Sequence, residues 1–176
     1  MPHISQEIHI SKETWNEAKR LIKNGIIKKL SAAKQNIDID TEIAAGIYIY
    51  ALEEFGKLLL LKESQTVDGK YIIKYRDGFR SHDFKFNKAF DYLQINGYGK
   101  CIILNDDGTF SPDAFLWRSF TIGLLAQTEA RLGIFYVDFI KSENNNYEIL
   151  KIPPLDQNKL NEAINKLGEV IDTFEL

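Results

Sequence analysis

Cysteine occurs once, at position 101, and histidine three times, at His3, His9 and His82. That scarcity excludes a disulfide framework and the spaced Cys/His sets that hold structural zinc, and it suits a reducing compartment. No apolar run is long: Ile43 to Leu52 stops at Glu53-Glu54, well short of the ~20 residues of a membrane-spanning helix. The start, Met1 to Ile10, has neither a basic region nor an apolar core of the kind a secretory leader needs, so a cytoplasmic protein without membrane contact is expected. Proline is also sparse, with four residues, and no Pro/Gly/Ser-rich linker or internal repeat divides the chain. A single domain over residues 1–176 follows, of a size that buries a core without metal or cross-links.

What is present is the balance of a globular fold, 44% hydrophobic and 27% charged, with a net charge of −3. The apolar periodicity is helical. Ser11 is placed to cap a first helix running to about Asn36, with Ile10 and Trp15 as a hydrophobic staple and Ala18, Ile22, Ile26 and Ala33 on its buried stripe. Thr41 is expected to cap a second helix, apolar almost all round, that reaches Leu61. A turn at Val67-Asp68-Gly69 leads into Tyr71 to Phe79, where Gly78 interrupts any helix. Ser81 then caps a third helix with Phe86, Phe90 and Leu93 on one face. Ser111-Pro112-Asp113 is a start signal for a fourth, to about Gly133, and Asp156 for a last one with Leu160, Ile164, Leu167, Ile171 and Phe174 in a stripe. Between them, residues 134–152 read as a small β-hairpin. The fold class expected is all-α, a bundle of about five helices.

The charge is unevenly placed. Gly69 to Lys88, GKYIIKYRDGFRSHDFKFNK, carries +4, from Lys70, Lys74, Arg76, Arg80, Lys85 and Lys88 against Asp77 and Asp83, and the rest of the chain carries −7. Tyr71, Tyr75, Phe79, Phe84 and Phe86 alternate with the cations, the mixture of phosphate-attracting charge and stacking rings found in single-strand RNA sites. A solvated basic face with its rings turned inward is the plainer alternative. The only internal histidine, His82, falls at the first helical position after Ser81, where the helix dipole and the neighbouring Arg76 and Arg80 disfavour the imidazolium. A neutral imidazole beside guanidinium groups suits attack of an RNA 2′-hydroxyl on the adjacent phosphodiester, with histidine moving the proton and arginine stabilising the phosphoryl oxygens, and with no metal or cofactor required. A capping or core histidine is the structural alternative.

On the helical row Ile43, Ile47, Tyr50, Glu54, Leu58, Leu61, Glu54 is the only acid, so it is expected to point inward and pair with Lys57, Lys85 or Arg131. Glu53 is expected on a wet face, paired with Lys57.

Together, Tyr50-Ala51-Leu52-Glu53-Glu54-Phe55-Gly56-Lys57, Ser81-His82-Asp83-Phe84-Lys85, and Arg131 followed by Tyr136-Val137-Asp138-Phe139 resemble the AbiV family of abortive-infection proteins, within the HEPN superfamily of helical ribonuclease and nucleotide-binding domains. Arg76-Asp77 with His82 fits the arginine–polar–histidine spacing that marks the superfamily. The resemblance implies an anti-phage endoribonuclease that needs no metal. Arg76 and His82 would be its catalytic pair, with Arg80 as the alternative arginine, and Asp77 would orient the arginine. It also implies a homodimer whose motifs meet in a cleft, with phage or cellular RNA as substrate. Lys70, Lys74 and Lys88 are the expected RNA contacts, Glu54, Lys57, Lys85 and Arg131 the supporting network, and a phage-encoded or antitoxin-like protein a conceivable regulator. A non-catalytic module binding a nucleotide, RNA or a regulatory protein is the other reading.

Overall fold

The structure, a computed structural model, describes residues 6–102, 139–141, 147–149 and 156–175. Among these residues the fold is mostly helical, with four α-helices, a three-stranded sheet and a short two-stranded pair. Helix four of the sequence reading, with Arg131, lies outside the described residues, as does the side chain of Asp77.

Helix α1 spans Lys12–Asn36, and Ser11 caps it by accepting from the Thr14 amide at 3.2 Å. Its stripe of Ile26, Leu30 and Ala33 is buried against α2, Thr41–Lys62. The cap of α2 is Asp40, one residue earlier than expected. Its carboxylate accepts from the Ile43 amide at 2.9 Å, and the Thr41 hydroxyl turns back to donate to the Ile37 carbonyl at 3.2 Å. Helix α3 spans His82–Ile95 behind the expected cap, Ser81, with Phe86, Phe90 and Leu93 buried. The last helix, α4, spans Gln157–Thr173. Asp156 caps it, and the stripe from Leu160 to Phe174 faces the core.

Aromatic and polar ties hold these helices together. The rings of Phe55, Tyr92 and Phe174 meet edge to face at 5.2 to 5.8 Å, joining α2, α3 and the end of α4. The fully buried Tyr48 hydroxyl donates to the Cys101 carbonyl at 2.6 Å and reaches the Ala163 carbonyl at 3.1 Å, which ties α2 to the 3₁₀ turn Gly99–Ile102 and to α4. Burial pushes the Cys101 thiol up to about 12 and lifts the Tyr48 phenol well above its usual value. Both groups keep their protons in the folded protein at pH values where the unfolded chain releases them. Their contribution to stability is therefore complete below about pH 9 and is lost as pH rises toward about 12. Urea midpoints measured across that range are expected to fall; a flat profile would contradict the burial of these groups.

The β structure goes beyond the hairpin expected from the sequence. Strand β1, Glu7–Ile10, and strand β2, Gln65–Val67, flank a central β3, Lys70–Lys74, in an antiparallel sheet of order β1-β3-β2. Asp68 and Gly69 make the two-residue link between β2 and β3, both with positive φ (49° and 72°), the turn whose twist matches a hairpin. Tyr71 and Ile73 face the helices. The Tyr71 ring stacks on Trp15 of α1 at 4.8 Å, and the Trp15 indole N–H reaches the Leu61 carbonyl and the Ser64 hydroxyl. The stretch from Tyr71 to Phe79 is thus the inner part of a strand followed by a single π-helical turn, Tyr75–Phe79. In the second half of the chain, β4 (Phe139–Lys141) pairs antiparallel with β5 (Tyr147–Ile149), within the hairpin expected over 134–152.

Candidate functional site

The site is built where α2 and α3 touch. Gly56 lies against the backbone of Lys85: a Cβ at position 56 would stand 2.0 Å from the Lys85 carbonyl oxygen. No other residue type permits that approach. One turn back along both helices, Glu53 is 3% exposed and its Oε2 lies 2.6 Å from Nδ1 of His82. Further along, Lys88 pairs with Glu63 at 2.5 Å. The sheet hairpin and the π turn thus carry the chain back to start α3 beside the middle of α2.

This corrects the two glutamates. Glu53, expected on a wet face, is the buried acid and the partner of His82. Glu54, expected inside, is partly exposed and pairs with Lys57 at 3.0 Å and with Lys29 of α1 at 3.8 Å. The reason lies in α2 itself. A helix apolar almost all round does not reveal its inward direction, and Ile43, which anchored the row through Glu54, is 39% exposed. The row Ile49, Glu53, Gly56, Leu60 carried the missing signal, because a mid-helix glycine one turn from an acid marks a close approach.

His82 sits at the first position of α3, behind the Ser81 hydroxyl that accepts from the Phe84 amide at 3.2 Å. Its side chain is half exposed. With Nδ1–H donated to Glu53, the neutral ring is held as the tautomer whose lone pair is on Nε2. The arginines come from the π turn. Its end is closed by the Arg80 amide donating to the Tyr75 carbonyl at 3.0 Å, and its start is held to Gln6, whose carbonyl accepts from the Tyr75 and Arg76 amides. Gly78 is buried in this turn, 3.3 Å from the Cβ of Lys74 measured from where its own Cβ would be. Arg76 and Arg80 are both exposed, and Arg80 stands two residues before His82.

The six cations of the basic segment separate into two groups. Lys70, Lys74, Arg76 and Arg80 are exposed on β3 and the π turn. Lys85 is 4% exposed in the helix contact, and Lys88 is engaged by Glu63. The rings separate likewise. Tyr71 is stacked on Trp15 and Phe86 is buried, which removes Phe86 from any exposed dimer face, and Phe84 is 45% exposed. Phe84 lines a groove of about 430 Å³ between α2 and α3, with Leu59, Glu63, Tyr92 and Ile95, in which neither Glu53 nor His82 takes part. Cys101 is buried with its thiol protonated and is no candidate nucleophile. Among the described residues no group of three or more His, Cys, Asp or Glu side chains is placed to hold a metal ion, and no helix is long and apolar enough to cross a membrane.

The arrangement can move a proton at Nε2, with a buried carboxylate fixing the ring, next to a turn that displays guanidinium groups. No family model matches the chain, and no curated protein or solved structure matches it significantly.

Proposed function

We propose that this chain is a metal-independent endoribonuclease of the HEPN type, an abortive-infection effector that cleaves cellular or phage RNA as a homodimer. One observation carries the reading: the contact between the buried Glu53 carboxylate and Nδ1 of the half-exposed His82, two residues after Arg80. A carboxylate that fixes an imidazole tautomer is the arrangement of a general base, and a flanking guanidinium supplies charge for a phosphodiester.

In the reaction, Nε2 of His82 takes the proton of a 2′-hydroxyl. The 2′-oxygen bonds to the adjacent phosphorus, and the bond from phosphorus to the 5′-oxygen breaks. The leaving oxygen takes a proton from water, the hydroxide so formed takes the proton held on Nε2, and the products are a 2′,3′-cyclic phosphate and a 5′-hydroxyl. Arg80, with Arg76 as the alternative, stabilises the charge on the phosphoryl oxygens, and Glu53 acts as a positioning residue.

Incubation of the purified protein with single-stranded RNA in excess EDTA tests the proposal. Fragments ending in cyclic phosphate are expected, together with growth arrest on expression in cells. Salt-sensitive RNA binding at saturating protein with no fragments would overturn the nuclease and leave the binding module in its place.

A further inference from the structure

The exposed cations that lead up to His82 in the chain form a row with a definite direction. Lys70 and Lys74 are both exposed and, four residues apart on β3, share one strand face, opposite to Tyr71 and Ile73. At strand rise they stand about 13 Å apart, a span that two successive nucleotides of an extended chain bridge. The π turn follows Lys74 directly and brings Arg76 and Arg80, and then comes His82. The row thus leads along β3 toward the imidazole. Among the described residues its acidic neighbours are Asp68 at the hairpin turn, Glu7, which stands opposite Lys74 in the β1–β3 register, and Glu63, which lines a pocket with Lys74 and is itself paired with Lys88.

Of the rings that alternate with these cations in the sequence, only Phe84 is exposed, and it lines a pocket with Ile72 and Lys74. Tyr71 is taken up by Trp15, Tyr75 and Phe79 are half-buried in the π turn, and Phe86 is in the core. A strand lying on Lys70 and Lys74 meets phosphate-binding charge and one exposed ring, Phe84, on which any base can stack, so recognition there carries no base requirement.

We infer that β3 is a sequence-indifferent track for single-stranded RNA, on which Lys70 and Lys74 hold phosphates beyond the scissile one. This rests on the ribonuclease reading of His82 and adds a length requirement without a base requirement. The track can be tested apart from cleavage with 2′-O-methyl oligonucleotides, whose blocked 2′-oxygen cannot attack. Fluorescence anisotropy is expected to show octanucleotides of U, A or C binding within about threefold of one another. The variant Lys70→Ala/Lys74→Ala should bind the octanucleotides about tenfold more weakly, with a salt dependence flatter by ~1.4 in log–log slope for two lost phosphate contacts. A dinucleotide should not distinguish the variant from the wild type.

Unchanged octanucleotide affinity in the double variant, an equal loss for the dinucleotide, or a strong base preference would overturn the track. Lysine-dependent binding of the octanucleotides with no cleavage of unmodified RNA would leave the track standing and remove the nuclease. Cleavage that is insensitive to the two lysines would do the reverse. Absence of binding to any oligonucleotide would remove the track outright.

Discussion

Replacing His82 with asparagine is expected to lower RNA cleavage by ~10²–10⁴-fold while leaving the fold intact. The amide nitrogen of asparagine can take the place of Nδ1 and keep a donor on the Glu53 carboxylate, but nothing in asparagine replaces Nε2. Alanine at the same position should remove activity to the same extent and, in addition, destabilise the protein by ~2 kcal/mol, because Glu53 is 3% exposed and would lose the donor that now lies 2.6 Å away. The pair of variants separates chemistry from architecture. Equal stability loss in both, with cleavage retained by His82→Asn, would mean that the histidine serves the helix contact only. Single-turnover cleavage rates and urea midpoints, measured side by side, decide between these results.

Gly56→Ala is expected to destabilise the protein strongly. The new Cβ would stand 2.0 Å from the carbonyl oxygen, 2.6 Å from the carbonyl carbon and 2.9 Å from the Cα of Lys85, and none of these backbone atoms can rotate away. The helices must separate, at a net cost of ~2–3 kcal/mol even after the better helix propensity of alanine is counted, or roughly 5–10 °C in melting temperature for a chain of this size. Glu53 and His82 lie one turn from the clash, so the folded fraction should also lose activity. Gly25→Ala on α1 is the control. Its Cβ would meet only the Lys29 ammonium at 3.8 Å, and the substitution should stabilise by up to ~1 kcal/mol. Differential scanning calorimetry of the two variants checks both signs. If they shifted the same way, the close approach at Gly56 would not be what holds α2 to α3.

The contrast between those glycines also shows which features the sequence made legible. Helix limits were readable where a short polar side chain announces them, as at Ser11, Ser81 and Asp156, each of which accepts a bond from an amide of the first turn. The stripe of α4 was readable because only one of its faces is apolar. The sheet was not, because its strands are three to five residues long and β1 pairs with β3 from far away in the chain, with Glu7 opposite Lys74. His82 was identifiable as a lone histidine behind a cap. The inward acid of α2 was expected one residue off, at Glu54, since an error of one position on a helix turns a side chain by about 100°, and α2, with apolar residues on every side, offered nothing to correct it.

The contact of the start of α3 with the middle of α2 bears on how the chain folds. Glu53 and His82 are 29 residues apart, whereas the tie from Tyr48 to Ala163 closes 115. Loop-closure entropy makes the shorter closure cheaper by about 1 kcal/mol before any contact is counted. The carboxylate and the imidazole are thus brought together by a short-range chain reversal, and they should meet early in folding, ahead of the docking of α4 that completes the core.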